Sequence, residues 1–204
     1  MRIAIVDYGM GNIRSLVGVL NYLGVGDVPV TNDESELRCA DKIILPGVGS
    51  FGEAISNIRR MALDALFEEL VSRERKPFLG ICLGMQLMGT SSTEAGEWEG
   101  LGLVDGTLDR FEDDGVIKIP HVGFDQVQSD GNSKLFLGLD GENDFYFTHT
   151  FKMTSSTDIG QSYCDYGQRF VAGFEVDNIA GVQFHPELSQ QNGLRLLDNF
   201  VSRF

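Results

Sequence analysis

Two segments far apart in the chain hold residues suited to nucleophilic chemistry. The first is Gly80-Ile81-Cys82-Leu83-Gly84, a G-x-C-x-G. It is the thiol form of the G-x-S-x-G turn, which lifts a nucleophile off a strand end onto the start of a helix. The context agrees: an apolar run ends at Cys82, and a helical run with Met85, Leu87 and Met88 follows. The glycines permit a sharp turn that holds the central residue in a strained conformation. A thiol there meets a helix N-terminus, whose dipole favours the thiolate. The Leu83 N–H then points at a developing oxyanion. Taken alone, the segment also reads as a small core cysteine between two glycines. Cys39 and Cys164 lack such a context and read as inert.

A thiolate nucleophile needs a base that titrates near neutrality, usually histidine. The chain has three, His121, His149 and His185. His185 stands in Gln183-Phe184-His185-Pro186-Glu187. Pro186 pushes His185 into an extended conformation. Residues i and i+2 then share a face, so Glu187 lies beside the imidazole. A carboxylate there accepts one ring N–H and leaves the other nitrogen for Cys82. A strand-end His with a solvated Glu is the alternative for this pair on its own; the combination with the Cys82 turn favours catalysis. His121 and His149 have no carboxylate two residues on and read as structural or interface histidines.

Gly47-Val48-Gly49-Ser50-Phe51-Gly52 is a literal G-x-G-x-x-G between a strand and a helix. A dinucleotide site expects it after the first strand, with an acid ending the next strand. Here it follows the third strand, and Glu68 and Glu69 fall inside a helix. The nucleotide reading is therefore weak, and an oxyanion loop at the same sheet edge is the other use of these glycines. Gly9-Met10-Gly11 is another glycine turn at that edge, with Arg14 where a third glycine would be needed.

The elements that must position these residues follow from periodicity. Arg2–Asp7, Val28–Thr31, Lys42–Leu45 and Phe78–Cys82 read as strands, with helices at Ile13–Leu23 and Phe51–Val71 between them. Apolar strands separated by helices imply a parallel sheet covered on both faces. The second half is richer in strands, at Leu101–Phe111, Val116–Val127, Asp144–Met153, Gln161–Tyr166 and Phe170–Phe184. Turns fall at Asp113-Asp114-Gly115, Asp130-Gly131-Asn132 and Asp177-Asn178, and a closing helix spans Gly193–Phe204. The expectation is one α/β domain over residues 1–204, doubly wound, with a mostly parallel sheet and a β-rich C-terminal half.

Composition narrows the partners. Of 204 residues, 16 are Lys or Arg and 30 are Asp or Glu, a formal net charge of -14. Nucleic acid and anionic membranes need a basic footprint, so neither is expected as the main partner. No apolar run is long enough to span a bilayer or resembles a leader. Three widely spaced cysteines make neither a disulfide framework nor a zinc pattern, so no metal is expected and a cytoplasmic location is the simplest reading.

Taken together, the segments around Cys82 and His185 resemble the class I, triad-type glutamine amidotransferases, whose fold is flavodoxin-like. Asp7-Tyr8-Gly9-Met10-Gly11-Asn12, Leu45 to Gly52, Lys118-Ile119-Pro120-His121, Phe145-Tyr146-Phe147-Thr148-His149 and Gly193-Leu194-Arg195 resemble the glutaminase subunits of imidazole glycerol phosphate synthase. That resemblance implies L-glutamine as substrate, with Cys82 as nucleophile, His185 as base and Glu187 as its orienter. It implies an oxyanion site at Leu83 and Val48, formed after a peptide rearrangement. It implies a glutamine pocket from Gly47, Gly49, Gln86 and Glu94, and no cofactor. It further implies a heterodimer whose other member is a (β/α)8-barrel cyclase, which receives the ammonia for a step of histidine biosynthesis. By resemblance, Asp7, Asn12, His121, Phe124, Asp125, Tyr146 and Leu188 face that partner.

Three of those positions depart from the family pattern. The family usually has Gly-Trp-Asn where this chain has Gly123-Phe124-Asp125, and Lys where it has Leu188. Leu188 cannot pair with a partner carboxylate, Phe124 lacks an indole donor, and Asp125 adds a charge. One reading is drift within a histidine-pathway subunit. The other is a paralogue that feeds ammonia through a cyclase-like partner to a sugar in surface-polysaccharide synthesis.

Overall fold

The structure is a computed structural model and describes residues 1–129, 131–139 and 143–204. In chain order the elements begin β1 (Ile3–Val6), α1 (Ile13–Tyr22), β2 (Val30–Thr31), α2 (Glu34–Cys39), β3 (Lys42–Leu45), α3 (Phe51–Arg60), α4 (Leu63–Glu68), β4 (Phe78–Ile81) and α5 (Leu83–Leu87). They continue β5 (Ser91–Ser92), β6 (Trp98–Glu99), β7 (Thr107–Arg110), β8 (His121–Gln126), β9 (Asp144–His149), β10 (Phe151–Thr154), β11 (Gln161–Tyr166), β12 (Gln168–Val176), β13 (Ile179–Val182) and α6 (Gln190–Arg203).

The main sheet runs β2-β1-β3-β4-β13-β12-β10-β7-β5-β6, with β11 paired to β12. Its first five strands are parallel. β1, β3, β4 and β13 are buried at every position, as the continuous apolar runs require, and one apolar cluster fills each side of the sheet. From β12 onward the pairings are largely antiparallel. β8 and β9 form a separate two-stranded ribbon. The doubly wound architecture with a β-rich second half is therefore the one expected.

Local differences have identifiable causes. The long helix expected over Phe51–Val71 is interrupted where Ala62 takes a left-handed conformation, φ 56°. The chain then continues as α4 and a π-helical turn over Glu69–Arg73. The run Asp144–Met153 is two strands, because β9 pairs with β8 while β10 crosses to the main sheet. Helix α2 is an addition to the expected elements; Asp33 caps it by accepting the Glu36 N–H at 3.1 Å. α6 starts at Gln190, three residues before the expected Gly193. Asp130, part of an expected turn, lies outside the described residues.

The strands deliver the chemistry to one edge. β1, β3, β4 and β13 end together, so the loops at Asp7, Pro46, Cys82 and Gln183 lie at the carboxyl end of the sheet. That edge is where α/β sheets bind ligands. In the turn after β4, a Cβ on Gly84 would stand 1.8 Å from the Leu45 carbonyl oxygen. The close approach of α5 to β3 thus requires glycine there. Gly84→Ala is expected to lower unfolding free energy by roughly 2–4 kcal/mol through overpacking against backbone, read as a lower denaturant midpoint in urea.

Candidate active site

Cys82 follows the last residue of β4 with φ 53° and ψ -111°. A side chain at positive φ outside glycine costs about 1–3 kcal/mol and persists only where its surroundings hold it. Here its N–H donates to the Val182 carbonyl at 2.7 Å, and its carbonyl accepts from the Gln86 N–H in the first turn of α5. The expected turn is present, and its sulfur is nearly buried. The same pairing of β4 with β13 places Gln183 and His185 alongside. Gln183 Nε2 donates to Cys82 Sγ at 3.6 Å.

His185 donates from Nδ1 to Glu187 Oε1 at 2.9 Å, and both side chains are 3% exposed. Asn12, at the start of α1, donates to that same carboxylate oxygen at 3.2 Å. The tautomer follows: Nδ1 carries the proton, so Nε2 is free for the thiol side. Among the described residues, His185 Nε2 and Glu187 Oε2 are buried without a hydrogen-bond partner. Burial opposes an imidazolium at His185, but Cys82 and Glu187 on its two sides outweigh that and raise its proton affinity well above the ordinary value. The arrangement favours an imidazolium ready to give a proton to a leaving group.

These groups open into a cleft of about 240 Å³ lined by Val48, Gly49, Cys82, Leu83, Gln86, Glu94, Thr148, His149, Thr150, Phe151 and His185. Seven of the expected site residues therefore meet in one cavity, with Glu187 behind His185. Gly47 does not line it. It is buried, and a Cβ there would stand 2.4 Å from the Tyr8 hydroxyl and 2.8 Å from Leu83 Cβ. Tyr8 donates to the Pro46 carbonyl at 2.8 Å, and its phenol is pushed up by burial and by the charge of Cys82. Glu94 accepts the Phe51 N–H at 2.8 Å, which ties its loop to the start of α3. Gln86 Nε2 donates to Gln183 Oε1 at 2.9 Å and to the Phe151 carbonyl at 3.2 Å. A chain of amides thus runs from the cleft wall through Gln86 and Gln183 to the sulfur.

The profile described as Glutamine amidotransferase class-I matches residues 4–204. The chain belongs to the class I glutamine amidotransferases. A Campylobacter jejuni protein named imidazole glycerol phosphate synthase subunit HisH 1 is 40% identical over 199 residues, covering 98% of each chain. The HisH subunit of Aquifex aeolicus is 41% identical over 202 residues, covering 98% of this chain and 96% of its own. In fold, the chain is similar to PurLQS from Thermotoga maritima, with TM-score 0.72, 18% identity and coverage of 98% of this chain and 97% of that one. A glutamine amidotransferase from the same organism gives TM-score 0.67 at 16% identity, with coverage of 98% and 82%.

The amidotransferase's expected partner-facing residues divide. Phe124 is 50% and Leu188 42% exposed. Phe124 packs edge-on against Tyr146, its cross-strand neighbour, with ring centroids 5.5 Å apart. Asp125 is partly exposed. Asp7 accepts the Gly9 N–H and shapes the loop that ends at Asn12. His121 is a correction: it is 2% exposed, because strand alternation turns it inward with Gly123 and Asp125. His149 is also buried and forms part of the cleft wall. Gln183 and Asn12 touch the triad itself. The sequence assigns Gln183 no role and places Asn12 at the partner face. The available signal for Asn12 is its position in the loop after the first strand, on the edge that carries the triad.

Burial pushes His149 down to about 3 and His121 down to about 4. Both lie below the unfolded value of about 6.5. The unfolded chain therefore binds more protons than the folded one below that pH, and stability falls as pH drops toward 4. His185 has the opposite sign: raised in the fold, it contributes stability fully below about 6.5 and loses it as pH rises through its folded value, about 10. Unfolding free energy from urea titrations is expected to fall by roughly 2–5 kcal/mol between pH 6.5 and 4.5, and His121→Gln should remove part of that slope.

Proposed function

We propose that the chain is the glutaminase subunit of an imidazole glycerol phosphate synthase and supplies ammonia for histidine biosynthesis. The supporting observation is the meeting of Cys82, His185 and Glu187 at the cleft, in a chain about 40% identical to HisH subunits over nearly its whole length. The cleft takes L-glutamine, with Gly49, Gln86 and Glu94 on its walls. The Cys82 thiolate attacks the side-chain amide carbon and forms a C–S bond. Negative charge gathers on the amide oxygen, which the Leu83 N–H at the start of α5 and, after a peptide rearrangement, the Val48 peptide stabilise. His185 gives its Nε2 proton to the departing nitrogen, the C–N bond breaks, and ammonia leaves a thioester. Water, losing a proton to His185, then cleaves the thioester to glutamate and restores the thiolate. Glu187 holds the ring in the required tautomer throughout.

The ammonia passes to a barrel-type cyclase, and the two chains form a heterodimer. The face from Asp7 and Asn12 across Tyr146, Phe124 and Asp125 to Leu188 meets that cyclase. The whole chain acts as one amidotransferase domain in the cytoplasm. Among the described residues, no helix is long and apolar enough to cross a membrane.

A second reading keeps the same chemistry and changes the recipient. Phe124 and Leu188 leave two large apolar side chains in water on the partner face, where a cation and an indole are usual. Such a face suits a partner retuned for sugar amidination. Growth decides between them: rescue of a histidine auxotroph lacking its own glutaminase supports the histidine pathway, and failure by a folded, active chain supports the paralogue.

Cys82→Ala is expected to abolish glutamate release while leaving partner association intact, as read by a coupled glutamate assay and by co-elution. Residual glutamate release from that variant would remove Cys82 from the nucleophile's role. Glu187→Gln should lower kcat by about 10²–10⁴-fold with a smaller change in KM, because it acts on His185 rather than on bound substrate.

A further inference from the structure

Behind the cleft wall lies a second polar chain that the triad does not use. His149 Nδ1 donates to the Phe151 carbonyl at 2.8 Å. A carbonyl only accepts, so the proton sits on Nδ1 and His149 Nε2 is an acceptor. His121 Nδ1 stands 3.1 Å from that Nε2 and must be the donor. In neutral His121 the remaining nitrogen, Nε2, then carries a lone pair. It faces Asp125 Oδ2 at 3.5 Å. A carboxylate also only accepts, so two acceptors confront each other unless a proton enters between them.

The ends of this chain matter. The Phe151 carbonyl that His149 holds is the one that accepts from Gln86, and Gln86 holds Gln183 against Cys82 Sγ. Asp125 lies on the ribbon beside exposed Phe124 and is one-third exposed. Gly123, with φ 141° and no atom within 4 Å of where a Cβ would be, leaves the gap across which His121 and Asp125 lean together. Among the described residues, the other groups around His121 are aromatic or uncharged. Tyr166 of β11 stacks on it with centroids 3.8 Å apart, Phe147 of β9 stacks on the ring at 4.7 Å, and Phe111 and Phe170 close the box. Cys164 of β11 is buried and kept as a thiol by burial and by the charges of Asp125 and Asp165. Asp165 itself accepts from Gln128. His185 lies beyond His149.

We propose that Asp125, His121 and His149 form a proton-responsive positioning relay from the exposed ribbon to the wall of the glutamine pocket. With a proton on His121 Nε2, every link has a donor and an acceptor, and each bond polarises the next toward Phe151. Without it, the carboxylate opposes the His121 lone pair and weakens the ring's donation to His149. Asp125 is the favourable partner that holds up the proton affinity of His121 against burial. An event that dehydrates Asp125 strengthens its pairing with a protonated His121. Contact on the ribbon and the grip of the wall on glutamine are thereby linked. The wall's role rests on the cleft being the glutamine site proposed above; the relay's proton positions do not.

Two measurements separate these parts. With only three histidines, ring nitrogen–proton spectra of the ¹⁵N-labelled chain report each tautomer directly. Nδ1–H is expected for both His149 and His121 at pH 7.5, with acid adding a proton to His121 before His149. Asp125→Asn and Asp125→Ala should each lower the His121 proton affinity by about tenfold or more, since both remove the neighbouring charge. Glutamine affinity is then measured by calorimetry in the Cys82→Ala background from pH 4 to 8. Asp125→Asn supplies the missing donor and should bind glutamine about two- to fivefold more tightly at pH 8. The parent should move toward that value only as pH falls from 5 to 4, where His121 takes up its proton, and Asp125→Ala should fall between them at pH 8. An Nε2–H tautomer for His121 at neutral pH, or identical glutamine affinity and pH dependence with Asp125→Asn, overturns the relay. Absence of glutamine binding in every variant overturns the glutamine-site reading, while the ring spectra still decide the proton positions.

Discussion

The parallel pairing of β4 with β13 brings together residues a hundred positions apart in the chain. Its register sets Ile81 beside Val182 and extends one step further, where the Cys82 N–H reaches the Val182 carbonyl. Once that bond exists, Cys82, Gln183 and His185 leave the sheet at the same edge and height. A slip of one residue would turn every side chain of β13 to the opposite face. The burial of both strands at every position makes such a slip costly, since each side of the sheet is packed. The site's precision is therefore a consequence of core packing, and the strained backbone at Cys82 persists because that core holds it.

The triad is almost dry, and this decides its electrostatics. A carboxylate 3% exposed is expensive unless it is paired. Glu187 meets that cost with the His185 proton and the Asn12 amide on one oxygen. The imidazole in turn lies between Glu187 and the sulfur, so the surroundings that oppose its charge by burial favour it by proximity. Removing water strengthens both effects, and the balance falls toward the charged ring. His149 shows the opposite outcome a short distance away. It is equally buried, but its Nδ1 faces a neutral carbonyl and, among the described residues, no carboxylate touches its ring, so it stays neutral.

The catalytic segments are legible in the sequence because their chemistry depends on local backbone: glycines around Cys82, and a proline after an extended His185. Glu187 reaches the imidazole from a 3-10 turn over Pro186–Leu188, and not by the strand alternation expected from the sequence. The parallel half is legible for a similar reason, since strands buried on both faces have no polar positions to confuse the pattern. Features set by tertiary contact are not legible. Ala62 breaks a helix that its local pattern would continue. Thr150 separates two strands only because β8 and the main sheet compete for the two halves of one apolar run. The neighbours of His121 in its motif point to the partner face, yet alternation along β8 buries it. Gln183, in the core of a strand end, carries no periodic or charge signal for its contact with the sulfur.

Strand alternation also explains how one ribbon can serve two purposes. On β8 the outward positions are Val122, Phe124 and Gln126, and the inward ones are His121, Gly123 and Asp125. The first set puts the apolar side chains of Val122 and Phe124 in water, on the face proposed above to meet the partner; the second leads through paired imidazoles to the cleft. A rigid strand cannot move one set without moving the other. Substitutions at neighbouring positions such as Phe124 and Asp125 therefore act on different properties while sharing one backbone. In the proposed function Phe124 bears on docking, and in the proposed relay Asp125 bears on how the wall behind His149 is held. The net charge of -14 is blind to this distinction, because it sums over the whole surface. What matters at the ribbon is a single acceptor placed opposite a lone pair.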